Sequence, residues 1–259
     1  MDPKDSKSIW LPTPRPDDPS AEIRALAARQ LRSAGPLMAL VQKMGGKLED
    51  QLAHLPKGAR ARIEAVTEAA LRRALSLAAH GRHAPDLGAG GAPALAAVSG
   101  AAGGAGGLAT ALVELPVTVT LILHAILRAA EAEGFDTTLP EVQAEALRVL
   151  TSGGPLAEDD GINTSFLGAR LTVTGPALHK LLAKIAPKFA AVLSQKLAAQ
   201  AVPVLGALSG AALNTAFLTH YRELAHIRFA LLRLASLHGA ERVRDEFGTE
   251  LARLRLRHG

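Results

Sequence analysis

The chain contains no cysteine in its 259 residues. That absence excludes disulfides and thiolate metal sites, and it suits a reducing compartment. Aromatic residues make up only 3% of the sequence, and β-branched residues are sparse, so a sheet protein is a poor fit. The opening stretch MDPKDSKSIWLPTPRPDDPS lacks an apolar h-region, and no secretory signal is expected from it. There is no P-loop Gly-Lys-Ser/Thr and no Gly-x-Ser-x-Gly, which removes the commonest phosphate-cradle and nucleophile-elbow readings. Acidic residues are missing from Gly161 to Arg222.

What is present is rich in alanine and leucine, in a chain that is 48% hydrophobic with a formal charge of +5. Helix formers dominate. The pattern predicts an all-α protein: a single helical bundle with a central pair of Gly/Ala-rich apolar helices. Residues 1–18, rich in Pro, Asp and Ser, are expected to be a disordered tail, and 19–259 a single helical domain. Asp18-Pro19 opens a helix to about Ser33, and Pro36 a second to about Leu55. A third spans Ala59 to His80, with Ile63, Val66, Ala70, Leu71, Ala74 and Leu77 on one side. Gly81 to Pro93 is a joint by composition.

Two helices are expected after the joint, divided near Pro116 and closed by Gly134 as C-cap. Thr138-x-x-Glu141 has the form of a capping box, with Pro140 in the first turn of a helix to about Ser152. A helix from Gly175 to Ala201 repeats apolar residues at Leu178, Leu181, Leu182, Ile185, Phe189, Val192, Leu193 and Leu197, with a kink expected at Pro187. Pro203 opens the next, to about His238, and a charged helix runs from Ala240 to Leu256.

Ser99-Gly100-x-x-x-Gly104-x-Gly106 matches the glycine fingerprint of short-chain dehydrogenases as a string. Such a loop needs a strand before it and an acidic residue about 20 positions on. APALAAVSG is a poor strand, and Glu131 and Glu133 stand too far along in a helical pattern. The only tyrosine, Tyr221, has Ala225 four residues later where that enzyme class needs lysine. His80 and His83 lack further ligands at metal spacing and read as exposed loop histidines. No cofactor or metal site is expected.

As a surface, the same glycines make better sense. Gly100, Gly103, Gly107, Ala111 and Glu114 share one helical face. Pro203, Gly206, Gly210 and Asn214 repeat the device. Small-residue rows let two helices approach closely, at about 1 kcal/mol of helix stability per glycine relative to alanine. Pairing the rows carries Glu114 and Asn214 into an apolar interior, where a carboxylate needs partners and the Asn amide can donate to it. The pair is a candidate binding site, or a polar lock on helix register.

The uncharged runs Ala92 to Val113 and Ala201 to Thr219 reach the length of membrane spans, of which about 18 residues is the usual mark. Fully buried bundle helices look the same in sequence. Lys180, Lys184 and Lys188 step by four along one face, Lys196 extends that basic side, and the opposite face is apolar. This is the pattern of a helix lying on anionic lipid; a solvated bundle face shares it. Nucleic acid is not expected, because stacking aromatics are almost absent there.

Three segments together resemble the EcsC family: ELPVTVTLILHAILRAAEAEGFD (Glu114 to Asp136), KLAAQAVPVLGALSGAALNTAFL (Lys196 to Leu218) and LHGAERVRDEF (Leu237 to Phe247). The loop GGPLAEDDGINTSFLGAR is similar to the family's central linker. The resemblance implies a helical, membrane-associated protein of a family named after one encoded beside an ABC transporter. Family members usually carry Asp at the position of Glu114 and an aromatic at that of Glu133, while Asn214 matches the family pattern. The resulting expectation is a non-enzymatic accessory or binding protein, cytoplasmic and peripheral to the inner face of the membrane. Its expected partners are an anionic membrane surface, a membrane protein such as an exporter, or a small apolar ligand. The alternative is a hydrolase or other enzyme using Glu114 as acid or base in its apolar setting.

Overall fold

The computed structural model describes residues 18–44, 58–80, 91, 94–99, 107–152, 174–200 and 206–258. They form seven α-helices and a short helical segment over 94–99, with no strand among the described residues. The helices are α1 (Ser20–Met44), α2 (Ala59–Ala79), α3 (Gly107–Ala132), α4 (Pro140–Val149), α5 (Gly175–Gln200), α6 (Gly206–His238) and α7 (Ala240–His258). The fold class is all-α. The expected N-terminal tail lies outside the described residues up to Asp18.

The most extensive packing is between α3 and α6. Both are apolar along most of their length, and together they form the middle of the bundle. On one side α1 and α7 lie against α6; on the other α2 packs on α3 and α5, and the short α4 closes against α5, α3 and α6. Leu115, Val119, Ile122 and Ile126 of α3 meet the same core as Leu213, Tyr221, Leu224 and Phe229 of α6. Tyr221 is fully buried, stacks edge-on against Phe189 of α5 at 5.6 Å, and has its phenol pushed up by burial. A tyrosine so placed is a core residue.

Several expected breaks are absent. The backbone is helical without interruption from Ser20 to Met44, through position 36, so the expected division there does not occur. The division near Pro116 does not occur either: α3 passes through it. Pro116 faces solvent while Leu115, Val119 and Ile122 continue one buried stripe, and packing along that stripe overrides the hydrogen bond the proline removes. Helix α5 is continuous through the exposed Pro187, where a kink rather than a break is expected.

The Thr138–Glu141 capping box is not formed. Thr138 gives its hydroxyl to Asp136 Oδ1 at 2.6 Å, and α4 is entered from Leu139, extended at φ −77° and ψ 132° without a side-chain cap. The residue before a proline is pushed to that conformation. In α2, Ile63, Ala70 and Leu71 are buried and Val66 and Ala74 are half-buried, but Leu77 points outward and Leu75 and Thr67 take inward places. Gly134 does end the α3 unit: at φ 88° it lets the Phe135 N–H return to the Ala130 carbonyl at 3.0 Å, a turn that side chains resist.

Candidate functional site

Segment 94–99 is helical up to Ser99. A strand is what a dinucleotide loop requires at that point, and the described residues there form none. Gly100, Gly103 and Pro203 lie outside the described residues, while Gly107 and Gly206 start their helices and Gly210 is buried.

At the end of these rows Glu114 is 7% exposed and Asn214 1%. The Asn214 amide nitrogen donates to Glu114 Oε1, as does the Thr118 hydroxyl one turn along α3. Ser99 Oγ donates to the same oxygen at 3.3 Å. Asn214 Nδ2 also reaches the Ala96 carbonyl at 3.1 Å and Ser99 Oγ at 3.2 Å. Acceptors crowd this side of the amide, which assigns the nitrogen to it. The amide oxygen of Asn214 is buried with no hydrogen-bond partner among the described residues. One side chain of α6 thus ties α3 and segment 94–99 together. The arrangement holds the carboxylate with directed donors in an apolar surround, where such bonds are strong. Thr118 was readable in the sequence from its i+4 spacing to Glu114; Ser99 and the Ala96 carbonyl had no local signal.

A second buried polar cluster has no counterpart in the sequence reading. Arg228 of α6, 4% exposed, donates to Glu145 Oε2 of α4 from Nη2 at 2.7 Å and Nε at 3.0 Å. Arg148 donates to the other oxygen of Glu145, and Arg228 Nη1 lies 3.4 Å from Ser152 Oγ. Burial pushes the Arg228 guanidinium down, and Glu145 opposes that shift. Nearby on α6, Arg29 of α1 holds the Glu223 carboxyl below its ordinary range, and burial, with Arg29 adding to it, pushes the His226 imidazole down. Arg233 joins Glu133 at 2.8 Å and also binds Glu22.

On the surface, Lys180, Lys184 and Lys188 of α5 are exposed. No described carboxylate pairs with any of them. The opposite side of α5, with Leu182, Ile185, Phe189 and Leu193, is buried in the bundle. The side chain of Lys196 lies outside the described residues. Val113, 80% exposed, and Val98, 68% exposed, stand out to solvent at the start of α3 and in segment 94–99, with Val117 and Leu95 beside them in sequence. Among the described residues one stretch, Leu112–Ala132, is long and apolar enough to cross a membrane, with mean hydropathy 1.7 and 61% of its apolar window buried in the protein. No described group of three or more His, Cys, Asp or Glu is placed to hold a metal ion.

An all-helical bundle built on a close apolar pair, with a carboxylate and an amide locked between them, defines the class. Residues 37–234 match the family model of the EcsC protein family, and the chain belongs to that family. No curated protein and no solved structure matches it.

Proposed function

We propose that the protein is a non-enzymatic accessory or binding protein that works at the periphery of a membrane, resting a basic face on anionic lipid and serving a membrane partner such as an ABC exporter. The observation that carries the reading is the outer face of α5. Three lysines at four-residue spacing stand exposed and unmatched by any described carboxylate, on a helix whose other side is docked in the core. A helix held this way offers charge to a surface without leaving the bundle, so the contact is peripheral. The exposed valines at the start of α3 and in segment 94–99 add an apolar element of the kind that enters the headgroup boundary. Glu114 and Asn214 serve in this reading as the lock that keeps that region in shape.

The test is flotation of the full chain with phosphatidylglycerol-containing and with neutral vesicles. Binding is expected with the anionic vesicles and release at high salt. Each basic residue near such a surface contributes about 1 kcal/mol, so changing Lys180, Lys184 and Lys188 to Glu should weaken partitioning by about a hundredfold or more. Equal flotation with both vesicle types, or flotation untouched by the triple change, would overturn the proposal.

A further inference from the structure

Between the last turns of α2 and the first turns of α4 and α5 lies a cleft of about 380 Å3. Leu75, Leu178 and Leu182 form its floor and are all buried. Gln143, 2% exposed, sits among them with its amide nitrogen fixed on the Thr137 carbonyl at 3.0 Å. The rim is of the opposite character: Arg72, His80 and His179 all line it, they are exposed, and no carboxylate is among the described lining residues.

The rim groups have hydrogen-bonding capacity to spare. His80 Nδ1 lies 2.7 Å from the Ser76 carbonyl. A carbonyl only accepts, so Nδ1 carries the hydrogen, and Nε2 donates to a carboxylate only in the imidazolium form. His179 makes no side-chain hydrogen bond among the described residues. Arg72 meets Glu68 through Nη2 at 2.5 Å, which engages part of a guanidinium that carries five N–H donors. Concave sites of this size with an apolar lining and a few convergent polar groups are the usual form of small-molecule sites.

We propose that this cleft binds a small amphiphilic monocarboxylate, with its hydrocarbon on the leucine floor and its carboxylate at the Arg72–His80–His179 rim. Charge complementarity selects the anion, and the guanidinium fork matches the planar carboxylate. The buried leucines select a hydrocarbon body over a bare anion. The inference stands apart from the membrane reading, because the α5 lysines are not among the lining residues.

The experiment is calorimetric titration of the full chain with octanoate, octanol and acetate, with the imidazole proton signals followed by NMR. Octanoate is expected to bind saturably, at least about tenfold tighter than either of the others, and to shift the His80 and His179 signals. Arg72→Ala and His179→Ala change exposed side chains, so unchanged thermal unfolding serves as their folding control. Each should weaken octanoate about tenfold. Ala79→Phe, at an exposed lining position, should fill the cleft and abolish binding. Octanoate no tighter than octanol, or an affinity unmoved by Arg72→Ala, His179→Ala and Ala79→Phe, would overturn the proposal.

Discussion

The two halves of α6 solve the same problem differently. From Gly206 to Tyr221 the helix carries no Asp, Glu, Lys or Arg, and its buried polar side chains include His220 and Asn214, whose amide is offered to Glu114 of α3. From Arg222 onward it carries Glu223, Arg228 and Arg233, each in an ion pair with another element. The first half is joined by hydrogen bonds among small residues, the second by opposite charges. An amide–carboxylate contact fixes position with little charge to screen, so it can sit beside exposed valines. Ion pairs at the far half bind α1, α4 and the end of α3 into one rigid frame. The region with exposed apolar residues is therefore the one held by hydrogen bonds between small, short groups.

The sharpest way to break this contrast is to remove Arg228. Arg228→Met strands the buried Glu145 beside Arg148 and should cost about 3–5 kcal/mol, read by urea or thermal unfolding. Adding Glu145→Leu should recover most of that loss, since an apolar pair of similar volume often replaces a buried ion pair without penalty. Asn214→Leu takes a donor away from a buried carboxylate and should cost about 1.5–3 kcal/mol, less than the arginine change. Paired isosteres refine the point. Glu114→Gln keeps an acceptor for Asn214 and Thr118 and should lose under about 1.5 kcal/mol, whereas Glu145→Gln strips the charge facing Arg228 and should lose more. Equal losses from the two glutamines would erase the distinction.

The smallest effect is a slope with pH, confined to the charged half. His226 is pushed down, so between its ordinary value near 6.5 and its lower folded value the unfolded chain binds more protons. Stability is full above that range and falls as the solution is acidified through it. Arg29 opposes the charged imidazole, while Glu223 and Glu133 favour it and Arg222 disfavours it. Glu223, whose carboxyl is held low, contributes stability above its unfolded value near 4.5 and loses it at more acid pH still. The Tm of the wild-type chain should decline from pH 7.5 to 5.5, and His226→Gln should flatten that decline. A slope unchanged in the variant would remove His226 as its source.

Much of the frame was legible in the sequence, and the reasons are local. Helix α2 and the buried stripe of α5 follow from apolar spacing at three and four, and Gly134 from its place at the end of a periodic run. The meeting of Glu114 and Asn214 was legible because each ends a row of small residues that lets two helices approach closely. What was not legible depended on partners distant in the chain. Glu145 and Arg228 are separated by 83 residues, and neither has a neighbour that announces the other. Arg72, His80 and His179 come together only because α2 lies along α5. Pro116 misled for a related reason: it faces solvent, so the packed side of the helix carries on past it. The capping box failed because Asp136, two residues upstream, took the threonine hydroxyl first.

Segment 94–99 is helical and presents Val98 to solvent. Its attachment runs through the Ala96 carbonyl and Ser99 hydroxyl, both in reach of a single amide on α6. That amide is a rivet between distant parts of the chain. Pull it, and the stretch that displays Val98 loses its shape while the ion-paired end of the same helix stays intact, so one local event can change what this surface offers without unfolding the protein.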